Sequence, residues 1–258
     1  MIDVHCHLIW GVDDGSDSIE ESLRMVEIAA QNGTSAIVAT PHSNHEYLYD
    51  APVIEERLNA LRAAVGGRVE LYRGCDMHLS YENIRAVLEN PERFTINAKN
   101  YLLVEFAEGS LFPTATDLFR GMAGDGIIPV ITHPERNGLL RERLKDLSTW
   151  VANGCVIQIT AQSLLGRFGQ RAQRFSDTLI KKGLAQIVAS DAHDVEWRPP
   201  RLDEAFHYVS ERFGDATARR LFVENPKQAV LGGELQVRDS DGEPVSRPAV
   251  SGWRRFWG

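Results

Sequence analysis

Two kinds of hydrophobic pattern alternate along this chain. Short unbroken apolar runs recur, as in Ala36-Ile-Val-Ala39, Tyr101-Leu-Leu-Val104, Ile128-Pro-Val-Ile131 and Val156-Ile-Gln-Ile159. Such runs suit strands buried on both faces. Between them, apolar residues return every three or four positions, as Ile19, Leu23, Val26 and Ala30 do, which marks one face of a helix. The pattern predicts strands over 2–6, 35–40, 69–75, 101–105, 127–132, 155–160 and 185–190. It predicts helices near 19–31, 52–65, 82–90, 114–124, 140–152, 170–182, 202–213 and 215–223. Ser18 and Glu21 stand in capping-box spacing at the start of the first helix. Asn32-Gly33, Asp125-Gly126, Asn153-Gly154 and Lys182-Gly183 each end a helix, with glycine supplying the left-handed stop. Strands alternating with helices imply an α/β protein with a parallel sheet, either a barrel or an open doubly wound sheet.

From Gly232 the chain turns polar and loses its period, so residues 1–231 form the predicted domain and 232–258 a poorly ordered tail. The tail ends Gly252-Trp-Arg-Arg-Phe-Trp-Gly258, a basic aromatic segment suited to a partner, a membrane surface or its own domain. The chain has 258 residues, 43% of them hydrophobic, enough for a substantial core. Its net charge of −8 argues against a broad nucleic-acid surface. No apolar run nears the roughly 18 residues that span a membrane. His5 and Asp13 interrupt the region where a signal peptide would lie. Three cysteines, Cys6, Cys75 and Cys155, make an odd number and are expected as free thiols in a reducing cytoplasm.

The candidate chemistry begins at His5 and His7. Residues two apart on a strand point the same way, so both imidazoles can serve one cation. The pattern then repeats at the carboxyl ends of later strands: His42, Asp76, Glu105, His133, Asp191 and His193. Asp14 joins them from Gly11-Val-Asp-Asp-Gly15, the loop after the first strand. The carboxyl ends of barrel strands open on one face, where these groups would converge. Glu108 rivals Glu105 but lies beyond the predicted strand. Nine candidates exceed what one ion can use, so two or three divalent ions are expected. Mixed imidazole and carboxylate ligands suit Mn, Fe or Zn. Such centres serve hydrolysis, by acidifying water and clamping the attacked group. Arg136 and Arg198 follow His133 and His193 closely, and guanidinium forks bind phosphate oxygens. The combination favours a phosphate ester over an amide. A cysteine-based phosphatase is excluded: six residues after Cys6, Cys75 and Cys155 stand Val12, Tyr81 and Ala161, not arginine. No Gly-x-Ser-x-Gly elbow or Walker-type loop is present either.

These stretches, with Ile131-Thr-His-Pro-Glu-Arg-Asn137, Thr160-Ala-Gln-Ser-Leu-Leu-Gly-Arg-Phe-Gly169 and Ala189-Ser-Asp-Ala-His193, resemble the PHP superfamily. Within it they are most similar to the CpsB/CapC type, bacterial manganese-dependent tyrosine phosphatases encoded with capsule and exopolysaccharide genes. The resemblance implies a distorted (β/α)7 TIM-like barrel with three metals at the carboxyl ends of its strands. It implies ligand roles for His5, His7, Asp14, His42, Glu105, His133, Asp191 and His193, with Asp76 where the family usually has glutamate. It implies that Arg136, and Arg198 with it, bind the substrate, phosphotyrosine on a bacterial tyrosine kinase that controls polysaccharide export. Arg136, Asp191 and His193 are the candidates closest to the reaction. The family's proline after Glu105-Phe106 is replaced by Ala107. His45, Tyr47 and Tyr49 are expected to shape the mouth. The rivals are a small-molecule phosphoesterase such as a histidinol-phosphate phosphatase, a metal-dependent amidohydrolase, and a non-catalytic module that binds a kinase.

Overall fold

Strand and helix alternate as the hydrophobic pattern requires. A computed structural model describes residues 1–107, 109 and 114–237. Glu108 and the tail beyond Val237 lie outside the described residues. The strands are β1 (Ile2–Cys6), β2 (Ala36–Ala39), β3 (His42–Ser43), β4 (Glu70–Arg73), β5 (Asp76–His78), β6 (Tyr101–Glu105), β7 (Ile128–Thr132), β8 (Val156–Thr160) and β9 (Ile187–Ala189). The helices are α1 (Ile19–Gln31), α2 (Ala51–Val65), α3 (Tyr81–Glu89), α4 (Ala115–Gly124), α5 (Gly138–Arg141), α6 (Leu144–Ala152), α7 (Ala161–Leu164), α8 (Gln170–Lys181), α9 (Asp203–Phe213), α10 (Asp215–Arg219) and α11 (Asn225–Leu231).

Every strand pairing is parallel, in the orders β1-β2-β4 and β3-β5-β6-β7-β8-β9. The chain itself joins the two sheets, because β2 runs on into β3 and β4 into β5. Each of these strand positions is therefore built of two short strands, the second of which, β3 or β5, lies beyond the predicted ranges 35–40 and 69–75. Pro41 has no N–H to continue the ladder. A Cβ on Gly74 would lie 2.9 Å from Val38 Cγ1, so only glycine allows the close approach there. The last seam closes where Asp191 N donates to His5 O and His7 N to Ala192 O, each at 2.8 Å. Seven strand positions thus wrap into a distorted (β/α)7 barrel.

The period of two along each strand divides the core. Leu102, Val104, Ile131, Ile157, Ile159 and Val188 join the layer beneath the helices. Tyr101, Leu103, Val130, Val156, Ile187 and Ala189 pack with Val4 and Val38 in a second, interior cluster. At the amino-terminal end Ala229 and Val230 of α11 and the following Leu235 complete that cluster. Burying a side chain of this size contributes roughly 1.5–3 kcal/mol. The interior is therefore apolar below, and its upper layer is free for chemistry.

The helix ends follow the sequence signals. Ser18 Oγ accepts from Glu21 N at 3.2 Å, while Glu21 reaches back to Asp17 N rather than to Ser18. Gly33, Gly126, Gly154 and Gly183 all take positive φ. Other expectations change. The helix predicted over 140–152 is interrupted between α5 and α6. Helix continues past residue 223 through a π-turn, Arg220–Glu224, into α11. Pro226 accounts for the wide turn, since its ring cannot sit against the carbonyl four residues earlier. Residues 232–237, expected in the tail, are bonded to the domain: Asn225 brackets Gln236 with bonds of 2.9 and 2.8 Å, and Tyr101 OH donates to Gly233 O.

Candidate active site

The strand ends bring all nine candidate ligands to one mouth of the barrel. Asp76 and His78 on β5 share the inward face, and the β5–β6 register sets His78 beside Glu105. His5 Nε2 lies 3.2 Å from His7 Nε2, 3.5 Å from Asp76 and 3.4 Å from Asp191. His42 Nε2 faces Asp14 at 3.5 Å, as does His193 Nε2. His133 Nε2 lies 3.6 Å from Glu105. His133 and Asp191 have left-handed backbone, φ 31° and 53°, which turns the chain sharply at each strand end.

The outer nitrogens of the rings are held by groups that sequence reasoning did not assign. His5 Nδ1 pairs with Gln158 Oε1 at 2.9 Å. His7 Nδ1 pairs with Asp13 Oδ2 at 2.7 Å, and the same oxygen accepts from His42 N at 2.9 Å. His193 Nδ1 faces Asp191 O at 3.0 Å. Such partners set the tautomer and aim Nε2 at the centre. Gly15 belongs to this support, because its N–H donates to Asp13 Oδ1. A Cβ there would lie 2.3 Å from His7 O. Gln158 was detectable from the period of two on its strand and Asp13 from its place beside Asp14, whereas His78 lies past the strand end expected at residue 75.

The electrostatics suit cations. Burial pushes the His5 imidazole down, but Asp76 and Asp191 outweigh it and raise it to about 9. His42 is likewise disfavoured by burial yet held up at about 10 by Asp76 and Glu105. Burial works against ionised Asp76 and Asp191, but the histidines, and the arginines at Asp191, keep both carboxyls well below their ordinary range. His133 drops to about 4 through burial and the neighbouring Arg136. His193 is pushed far down by burial and His7, so its ring is neutral. Both oxygens of buried Asp76 lack a hydrogen-bond partner. Buried carboxylate oxygens without donors fit divalent cations. Among the described residues, five overlapping ligand groups, together spanning the nine candidates and His78, meet within this cluster.

The arginines stand on one side of it. Asp191 Oδ1 faces His5 and His7, whereas Oδ2 accepts from both Arg136 and Arg198, the latter at 2.6 Å. Arg136 also stacks on Phe168, 4.4 Å from guanidinium carbon to ring centre. Glu135 anchors the loop from beneath: its Oε1 accepts from Thr160 N at 2.9 Å and Ser163 Oγ at 2.7 Å. Burial lifts its carboxyl to about 7. At the mouth, Tyr47 lies parallel to His42 at 6.2 Å and His45 is exposed. Tyr49 instead turns inward, bonding Gly74 O at 2.9 Å and packing on Phe94, so it supports the mouth without lining it. The three cysteines are buried and form no disulfide among the described residues. Among the described residues no helix is long and apolar enough to cross a membrane.

The tyrosine-protein phosphatase YwqE of Bacillus subtilis is 33% identical over 257 residues, 98% of this chain and 100% of that protein. The tyrosine-protein phosphatase CpsB of Streptococcus agalactiae serotype V is 30% identical over 249 residues, 90% of this chain and 98% of that protein. A crystal structure from work on YwqE of B. subtilis and CpsB of Streptococcus pneumoniae, described as unique metal-dependent tyrosine phosphatases, matches with a TM-score of 0.87 at 31% identity. That match covers 96% of this chain and 100% of the other. Histidinol phosphate phosphatase of Lactococcus lactis shares the fold alone, with a TM-score of 0.56 at 13% identity over 86% of this chain and 94% of the other. The model of the CpsB/CapC family, capsular polysaccharide synthesis, matches residues 1–231, and the chain belongs to that family.

Proposed function

We propose that this protein is a metal-dependent protein-tyrosine phosphatase, acting on a bacterial tyrosine kinase that regulates capsule or exopolysaccharide synthesis. The observation that carries this reading is Asp191, with one oxygen toward the histidine cluster and the other toward Arg136 and Arg198. A phosphoryl group placed between cluster and arginines meets positive charge on both sides. His5, His7, Asp14, His42, Asp76, Glu105, His133, Asp191 and His193 would hold two or three ions, manganese by preference, with iron or zinc as rivals. When bound, the ions supply Lewis acidity and a water acidified toward neutral pH.

The protein's own groups do the rest. Arg136 and Arg198 hold the non-bridging phosphoryl oxygens in guanidinium forks and stabilise charge as it develops. Phe168 keeps the Arg136 plane in place. Asp191 and His193 set the inner wall against which the phosphorus stands. The tyrosine phenol, with a pKa near ~10, leaves without a strong general acid. Tyr47 lines the approach beside His42. Three buried thiols that form no disulfide among the described residues fit a cytoplasmic setting, and the acidic net charge suits a protein substrate better than nucleic acid.

The test is phosphate release from a phosphotyrosine peptide, a phosphoserine peptide and histidinol phosphate, each with Mn²⁺ and with chelator. Chelator-sensitive turnover of phosphotyrosine alone is expected. Preference for histidinol phosphate would move the chain to the small-molecule branch, and no turnover by the metal-loaded protein would overturn the reading.

A further inference from the structure

His78 has no role in the ligand set drawn from the strand ends, yet the fold aims it at the same centre. It follows Asp76 by two on β5 and so shares the inward face. The parallel register sets it opposite Glu105, and its Nε2 lies against Glu105 Oε2. Its ring stands edge-on to His42, with centres 5.3 Å apart. The position is held firmly, because Asn83 Nδ2 donates to His78 O at 2.9 Å and to Ser43 O at 2.7 Å, tying β5 to β3. His42, His78 and Glu105 offer three ligand atoms within 4.8 Å of one another.

The chemistry beside it leaves room for another donor. Asp76 has the shorter of the two acidic side chains, and both of its oxygens lack hydrogen-bond partners. A shorter carboxylate reaches less far toward Glu105. An imidazole on the same face of the same strand reaches further. We infer that His78 is an additional metal ligand of this chain, donating Nε2 to the ion held by Glu105. This rests on the metal-centre reading above. Its rival is a positioning role, in which His78 only hydrogen-bonds Glu105 and orients it.

Binding of Co²⁺ to the full chain separates these roles without any activity assay. Wild type, His78→Ala and His78→Gln would be dialysed against graded Co²⁺, with metal content measured by mass spectrometry and visible spectra recorded. Melting with chelator present would verify that each variant folds. Loss of a neighbouring group of this kind lowers metal affinity by roughly 10–100-fold, and removal of a ligand is expected to do at least as much to one ion. Both variants should show that loss, with altered visible bands, because glutamine keeps a donor for Glu105 but offers no imidazole nitrogen. Wild-type affinity and spectrum in His78→Ala would overturn the inference. So would wild-type behaviour in His78→Gln, which would leave orientation of Glu105 as the whole role. Failure of the wild type itself to bind Co²⁺ would overturn the metal-centre reading, and the inference with it.

Discussion

Replacing Glu135 with glutamine should flatten one component of the protein's pH-dependent stability. Glu135 is fully buried, and Oε1 takes both of its donors, Thr160 N and Ser163 Oγ. Oε2 has no partner, so a proton there costs little and a charge costs much. Burial raises the carboxyl from 4.5 to about 7. Between those two values the native state keeps the proton and the unfolded state has lost it. Stability therefore falls as pH rises through the window. At about 1.4 kcal/mol per tenfold change in proton affinity, the loss is roughly 2–3 kcal/mol between pH 5 and pH 8. Glutamine preserves the oxygen that Thr160 and Ser163 need and carries no titrating proton. In urea unfolding of metal-free protein, the stability of Glu135→Gln minus wild type should rise by that amount from pH 5 to pH 8. Other titrating groups are common to both proteins and cancel. Parallel stability curves would refute the argument.

Three further outcomes follow from the site. Arg136→Lys keeps charge but loses the fork and the stack on Phe168, so kcat/KM for phosphotyrosine peptide should fall about 10- to 100-fold with unchanged metal content; unchanged kinetics would dismiss the phosphate-binding role. Asp13→Ala frees His7 Nδ1 and the His42 amide, and metal affinity in equilibrium dialysis should fall about 10- to 100-fold; wild-type affinity would show that these bonds do not position the ligands. Gly15→Ala drives a methyl into the His7 backbone, and urea midpoints should report destabilisation of about 1–3 kcal/mol together with weaker metal binding. A neutral result at Gly15 would contradict the close approach described for it.

Much of the fold was legible because local signals and burial agree. Apolar runs mark strands buried on both faces, and four glycines mark helix ends whatever lies around them. The short strands β3 and β5 escaped notice because the apolar runs end before Pro41 and Gly74, and the ladder resumes on polar residues such as His42 and Asp76. Pro226 was visible, but a π-turn that carries the helix past it depends on packing of Leu221 and Phe222, both fully buried. Placement of the nine candidates at one mouth was readable because strand ends, and for Asp14 the loop after the first strand, put them there. Their supports were less readable. Gln158 and His78 obey the same period of two, yet glutamine is no strong ligand and His78 lies past the strand end expected at residue 75. Glu135 gains its meaning only when Thr160 and Ser163, some 25 residues on, fold over it. Tyr49 carries no sign in sequence that it turns inward.

The left-handed backbone at His133 and Asp191 also limits how this centre can change over evolutionary time. Asparagine, aspartate and histidine enter that conformation more readily than most residues, and glycine enters it freely. Glutamate or cysteine at either position would carry a backbone cost of about 1–3 kcal/mol beyond any effect on binding. Exchange at these two strand ends is therefore confined to a small alphabet, in which histidine and aspartate are the members that ligate strongly. Drift toward thiolate-rich, softer metal preferences is closed here by the path of the chain, before the chemistry of the cation is consulted. Positions on regular strand such as Asp76 carry no such restriction, and they are where variation in the donor set meets least resistance.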